Sequence, residues 1–116
     1  MVQPVVIFQA ALLPNAAAVV ASANNPSPAQ VTTIIKKLTV TNTDGAAGHT
    51  FTIYIIPFGG GVAAVNLLVN ARAIGLNETL DITEAINQEL APGDAVWAFA
   101  DVAAKVSIRA SGVQVT

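Results

Sequence analysis

Phe51, Ile53 and Ile55 alternate with Thr50, Thr52 and Tyr54. A chain with that period of two must lay one face of a strand on an apolar layer and leave the other to polar surroundings. The run before it behaves alike: Ile34, Leu38 and Val40 share a face, and Thr39 and Thr41 share its opposite. Between the two lies the turn chemistry Thr43-Asp44-Gly45-Ala46-Ala47-Gly48, so residues 31–56 read as a hairpin with a multi-residue loop. Lys36 falls among the apolar set. Burying an unpaired cation is prohibitive, and a bulge or an interface is expected at that position.

The rest of the chain repeats this grammar. Pro57-Phe58-Gly59-Gly60-Gly61 stops the second run, because proline cannot donate to a ladder and three glycines suit a flexible loop. Over 65–74 Val69, Ala71 and Ala73 point one way and Asn70 and Arg72 the other, as in a strand. After the Gly75-Leu76-Asn77 turn, Leu80 and Ile82 alternate with Thr79 and Asp81. Thr83 is placed to cap a helical turn or loop over 83–90, with Ile86 and Leu90 four residues apart.

Ala91-Pro92-Gly93-Asp94 turns the chain. Residues 95–101 are apolar on both faces, the pattern of a central strand, and this run holds Trp97. In the last run Val106, Ile108 and Ala110 alternate with Lys105, Ser107 and Arg109, and Ser111-Gly112 reads as a bulge before Val113 and Val115. Turn signals recur about every ten residues, the spacing of a sandwich. The expected fold is all-β: an antiparallel β-sandwich, jelly-roll-like, of about seven to nine strands.

Residues 1–30 differ in character. Leu12, Leu13, Val19 and Val20 flank a Pro14-Asn15 turn, and Asn24-Asn25-Pro26-Ser27-Pro28 has linker composition. This segment is expected to be an N-terminal arm or edge hairpin plus linker, with the sandwich domain at 31–116. Val5-Val6-Ile7-Phe8 loosely imitates a leader's apolar stretch, but no Lys or Arg occurs before Lys36, and prolines and glutamines interrupt it. No segment approaches the roughly 20 apolar residues that span a bilayer as a helix.

Composition narrows the function classes. The 116 residues are 53% hydrophobic and 10% charged, against a usual charged share of about 25%, so part of the apolar surface is expected to be covered by other subunits. Twelve charges summing to −2 leave no basic stripe for nucleic acid. With no cysteine there is no disulfide framework, thiolate metal site or thiol nucleophile.

Nor does a catalytic constellation stand out. The single histidine, His49, lacks an evident nucleophile and orienting carboxylate and reads as a solvent-exposed turn residue, with Asp44 explained by turn preference. Glu78, Asp81, Glu84 and Glu89 form an acidic stretch whose spacing matches no calcium loop. Gly59-Gly60-Gly61 lacks the Lys and Ser or Thr of a phosphate loop, and Asn77-Glu78-Thr79 is a bare glycosylation sequon. No enzyme activity, metal or cofactor is expected. Lys36, Lys37, Arg72, Lys105 and Arg109, with Asp81, Glu84 and Glu89, either fix register between subunits by charge complementarity or form ordinary solubilising surface.

Four passages, taken in order, resemble a recurrent kind of small tailed-bacteriophage virion protein. They are Ile35-Lys36-Lys37-Leu38-Thr39-Val40-Thr41-Asn42-Thr43; Phe51-Thr52-Ile53-Tyr54-Ile55-Ile56-Pro57-Phe58-Gly59-Gly60; Leu90-Ala91-Pro92-Gly93-Asp94; and Ser107-Ile108-Arg109-Ala110-Ser111-Gly112-Val113-Gln114-Val115-Thr116. The resemblance covers about residues 31–116 and rests on the shared order of strand and turn motifs. It implies a β-sandwich decoration or cement protein on the outer capsid surface, bound to the major capsid protein and to copies of itself.

A homotrimer is the expectation from capsid geometry, with no nucleic-acid, membrane or small-molecule partner. The expected contact residues are Val5, Ile7 and Phe8 of the arm, Lys36, Lys37, Arg72 and Arg109, and the aromatics Tyr54 and Phe58. Two alternatives stand beside it. One is a tail or head-fibre attachment protein of the virion. The other is a carbohydrate-binding β-sandwich, for which Tyr54 and Phe58 are the exposed aromatic candidates and Trp97 is expected to be buried.

Overall fold

The computed structural model describes residues 2–15, 18–19 and 31–115. Within them run nine strands: β1 Val2–Leu12, β2 Ala18–Val19, β3 Thr32–Asn42, β4 His49–Ile56, β5 Leu67–Ile74, β6 Thr79–Asp81, β7 Glu89–Leu90, β8 Ala95–Ala100 and β9 Val106–Val115. One sheet has the order β1-β9-β3-β6, with β7 also paired to β3, and the other has the order β2-β8-β4-β5. Every pairing is antiparallel. With the two-residue β7 set aside, this is the strand order of a jelly roll, in which successive strands cross between two packed sheets.

The two inner faces meet in one core. Ile35, Leu38, Val40, Val106 and Ile108 come from the larger sheet, and Phe51, Ile53, Val69, Ile74 and Val96 from the smaller. Ile82, Ala85 and Leu90 close one side, all fully buried. Burying a residue such as Phe51 stabilises the fold by about 1.5–3 kcal/mol.

Residues 2–12 form an edge strand of the larger sheet. Val2–Leu12 pairs along β9, Ile7 and Leu13 join the core, and Leu13 N donates to Val106 O at 2.7 Å. The expected hairpin about Pro14 does not form, because β1 and β2 belong to different sheets. Apolar residues on both sides of that turn are needed by opposite layers of the sandwich. The expected linker at 24–28 lies outside the described residues.

The expected bulge at Lys36 is present. Ile35 and Lys37 pair with the consecutive residues Gly112 and Ser111, which leaves Lys36 extra. The extra residue reverses the phase of the strand, so Ile35, not Ile34, shares the core face with Leu38 and Val40. The Ser111-Gly112 bulge expected in β9 is absent from β9 itself, which runs unbroken. The irregularities sit in its neighbours: Lys36 on β3, and on β1 Ile7 between Val6↔Ser111 and Phe8↔Ala110, with a second shift between Phe8↔Ala110 and Ala11↔Ile108.

Gly112 shows why. A Cβ there would collide with the carbonyl oxygen of Ile34 and come within 2.9 Å of Ile7 Cδ1. The missing side chain is the space into which both bulges lean.

Three other readings need correction. In β5 Ala71 takes φ 46°, and its N–H donates to Thr52 Oγ1 at 3.1 Å, so Ala71 and Ala73 do not share the buried face of Val69. Over 83–90 there is a single 3-10 turn, Thr83–Ala85, without a side-chain cap, followed by β7. Ile86 is exposed and Leu90 buried, so they share no helical face. The strand at 95–101 is central as expected, but its inner positions are the small Val96, Ala98 and Ala100, with Trp97 half-buried on the outer face. Phe51 and Ile53 of the adjacent β4, paired with Ala100 and Ala98, are the large buried side chains of this face.

Replacing Gly112 by Ala is expected to cost roughly 3 kcal/mol, since a backbone carbonyl must move. Urea denaturation measures it, with Gly61→Ala, whose Cβ would meet nothing, expected to change little.

Candidate functional site

The polar chemistry of the chain gathers at one end of the sandwich. The β3–β4 loop, the β5–β6 turn and the β8–β9 loop meet there: Thr43 N donates to Lys105 O at 2.8 Å, and Asn77 N to Asp44 O at 3.3 Å. Asn42, fully buried, ties them further. Its Nδ2 donates to Ala47 O and Gly75 O, both at 3.1 Å, and its Oδ1 accepts from Asp44 N at 2.9 Å. In the sequence Asn42 stands only as the polar end of a strand run, and its burial depends on Gly75, 33 residues away.

His49 sits in this end and is not the exposed turn residue expected. Its side chain is 11% exposed and lies between two carboxylates, with Nε2 2.9 Å from Asp44 Oδ2 and Nδ1 3.2 Å from Asp101 Oδ1. Asp44 also accepts from Ala46 N at 2.8 Å, as its turn preference implied. The hydrogen bond to Asp44 raises the His49 pKa above its ordinary 6.5, with Asp101 adding to the effect, and the same bond to His49 lowers Asp44 below 3.8. A neutral imidazole donates through one nitrogen only, so both carboxylates are satisfied together by the imidazolium alone. Two of these three groups are five residues apart in sequence; Asp101 arrives only through the sandwich.

The opposite end is apolar. Phe58, Val62 and Val65, all on the β4–β5 loop, are 80%, 45% and 88% exposed. The loop is nevertheless organised. Asp94 Oδ1 accepts from Phe58 N at 3.1 Å and its Oδ2 from Ala91 N at 2.9 Å, while Gly60 N donates to Pro57 O at 2.8 Å. Gly93, at φ +90°, leaves room for the Phe58 ring, which a Cβ there would strike at 2.6 Å.

The two outer sheet faces differ as well. On the larger sheet Thr39 lies opposite Arg109 on one side and Asp81 on the other, with exposed Lys37 and Ser111 paired beside them. On the smaller sheet Tyr54 pairs directly with Trp97 and stacks on Phe99, ring centroids 6.4 Å apart.

The expected contact residues thus scatter over several surfaces. Val5 is half-buried against the core, and Ile7 belongs to the core, which removes it from any interface. The Phe8 side chain lies outside the described residues. Lys36 is exposed and donates to Asn87 Oδ1 at 2.9 Å; Lys37 and Arg109 are exposed. Arg72 forms a two-pronged ion pair with Glu84 of the same chain, which lowers the Glu84 pKa to about 2. Glu78 is bound to Gly75 N at 2.7 Å. The acidic stretch is therefore dispersed, and among the described residues no three acidic or histidine side chains converge as metal ligands. No described helix is long and apolar enough to cross a membrane.

No family model, curated protein or solved structure matches this chain.

Two outcomes follow from the charge pairs. The raised pKa of His49 means that its stabilisation is complete below about pH 6.5 and is lost as pH rises through the higher folded value. Asp44 has the opposite sense, its contribution being lost as pH falls below about 3.8. Thermal melting of the wild type should therefore decline from pH 6 to 9, and His49→Gln should flatten that slope. Glu84→Gln, at an exposed pair, should leave the midpoint of a denaturant titration nearly unchanged.

Proposed function

We propose that this chain is a structural protein of a bacteriophage particle, a decoration or cement subunit that binds the outer capsid surface through the major capsid protein and copies of itself. The observation that carries the reading is the Phe58 loop. Three large apolar residues are displayed on a hydrogen-bonded support, and a chain gains from holding apolar groups in water only when a partner covers them. The jelly-roll order supports the reading by analogy, since viral capsid domains use it often, although the same fold also serves lectins. The low charge of the chain and the in-order resemblance of residues 31–116 agree with it. The homotrimer suits local threefold positions of a shell.

Mass spectrometry and immunogold labelling of purified virions are expected to find the protein in stoichiometric amounts on the head. Its absence from particles, or labelling confined to tails, rejects the capsid assignment. Phe58→Ser should lower head occupancy at least about tenfold, the effect of losing an interface anchor worth about 1.4 kcal/mol or more.

One observation favours a second reading, a carbohydrate-binding sandwich: the strip of Tyr54, Trp97 and Phe99 on the outer face of the smaller sheet is the kind of aromatic surface that sugars stack upon. Trp97 and Tyr54 are the sole residues of their kinds, so a glycan that binds there changes the tryptophan fluorescence. On a glycan array, binding that disappears in Tyr54→Ala supports this reading, and an empty array removes it.

A further inference from the structure

The β8–β9 loop, residues 101–105, is tied to its surroundings at both ends. Asp101 N donates to Thr50 O at 3.1 Å, Ala104 N to Leu13 O at 3.1 Å, and both N and Oγ1 of Thr43 donate to Lys105 O at 2.8 Å. Val102 and Ala103 lie between these ties. One side-chain contact adds to them, that of His49 with Asp101.

The two carboxylates on His49 are not equivalent. Asp44 Oδ2 lies 2.9 Å from Nε2 and the Asp44 side chain is 17% exposed, whereas Asp101 Oδ1 lies 3.2 Å from Nδ1 and the Asp101 side chain is 44% exposed. An acceptor that water reaches poorly costs more to leave unpaired than one that water can solvate. A neutral imidazole has a single N–H to give. The shorter and more enclosed bond claims it.

We propose that His49 is the pin of a pH-dependent latch at this end of the sandwich: as imidazolium it holds the β8–β9 loop to the β3–β4 loop, and on losing its Nδ1 proton it keeps Asp44 and releases Asp101, so that the β8–β9 loop loosens while the sandwich stays folded.

Electrostatics act in the same direction. Once the imidazolium is neutral, Asp44 and Asp101 flank an uncharged ring as two like charges. Lys105 acts on Asp44 and helps to hold its pKa down, so Asp101 is the carboxylate that leaves. From the other neighbouring elements, the residue paired with His49 on β5 is the uncharged Ile74, and Glu78 of the β5–β6 turn is bound to Gly75 N. The bond to Asp44 first, and that to Asp101 after it, raise the His49 pKa above 6.5. The latch is therefore shut below about pH 6.5 and opens as pH rises through the higher folded value. The fall in stability above neutral pH thus has a location, the β8–β9 loop, and a cause, the choice a neutral ring makes between two carboxylates. Neither depends on the capsid reading.

NMR of the isolated full chain, labelled with 13C and 15N, tests this. Above the His49 transition the imidazole 15N shifts should place the remaining proton on Nε2. Between about pH 5.5 and about pH 9 the Cα–H order parameters of Val102 and Ala103 should fall by at least about 0.1 from the rigid value of about 0.85, while that of Ile53 in the core holds. His49→Gln should abolish this pH dependence. Asp101→Ala, at a half-exposed position outside the core, should leave the loop loose at both pH values, which keeps the test decisive even where His49→Gln does not fold. A neutral ring protonated on Nδ1 overturns the proposal. So do order parameters that stay level across the transition, that fall equally in His49→Gln, or that remain rigid in Asp101→Ala. Because no virion is used, failure here leaves the capsid assignment standing, and failure there leaves this one.

Discussion

The larger sheet is organised around a side chain that is not there. β9 is held on both flanks, by β1 and by β3, and β3 carries one residue too many for a regular ladder and β1 two. The surplus of β3 and the first of β1 fall beside Ser111 and Gly112, where the absence of a Cβ lets the Ile34 carbonyl and the Ile7 side chain come close, and the second of β1 falls between Ala110 and Ile108. Once Lys36 is extruded as the extra residue of β3, Thr33 and Ile35 before it and Leu38 and Val40 after it all turn inward. A lysine in an apolar run thereby becomes a surface residue hydrogen-bonded to Asn87, and the core loses no apolar contact.

From that constraint comes the division of the molecule into unlike ends. The chain has few charges, and the structure uses several of them on itself: Asp44, His49 and Asp101 clamp one end, Arg72 and Glu84 join the two sheets along a side, and Asp94 supports the opposite loop. Also displayed, beside exposed charges such as Lys37, Asp81 and Arg109, are uncharged surfaces: the Phe58 loop, the β1 edge and the aromatic strip on the smaller sheet. The proposed virion role rests on those uncovered apolar groups.

The expected contact set shows the limit of choosing interface residues by type. Ile7 and Phe58 are both large and apolar and both stand near a proline; one is 4% exposed and the other 80%. Ile7 is drawn inward because the bulge opposite Ser111 turns it toward the core. Phe58 is held outward because it follows a strand-ending proline and rests over Gly93. The choice depends on a partner strand and a partner turn, neither of them local to the residue. Arg72 shows the same for charge: the carboxylate that engages it is twelve residues away and reaches it only because the jelly roll brings the turn after β6 beside β5.

Periodicity by itself determined the class of fold and most of the strands, and marked Lys36 as a bulge or an interface, because a period of two and turn-forming residues act over a few bonds and do not need the rest of the chain. Tertiary structure alone decided the phase of β3 before that bulge, the placement of the irregularities beside Gly112 and not within β9, the outward Trp97, and the meeting of His49 with Asp101. These depend on which strands become neighbours across the sandwich, and pairing between residues dozens of positions apart is set by how two sheets fill one core, which no local pattern encodes.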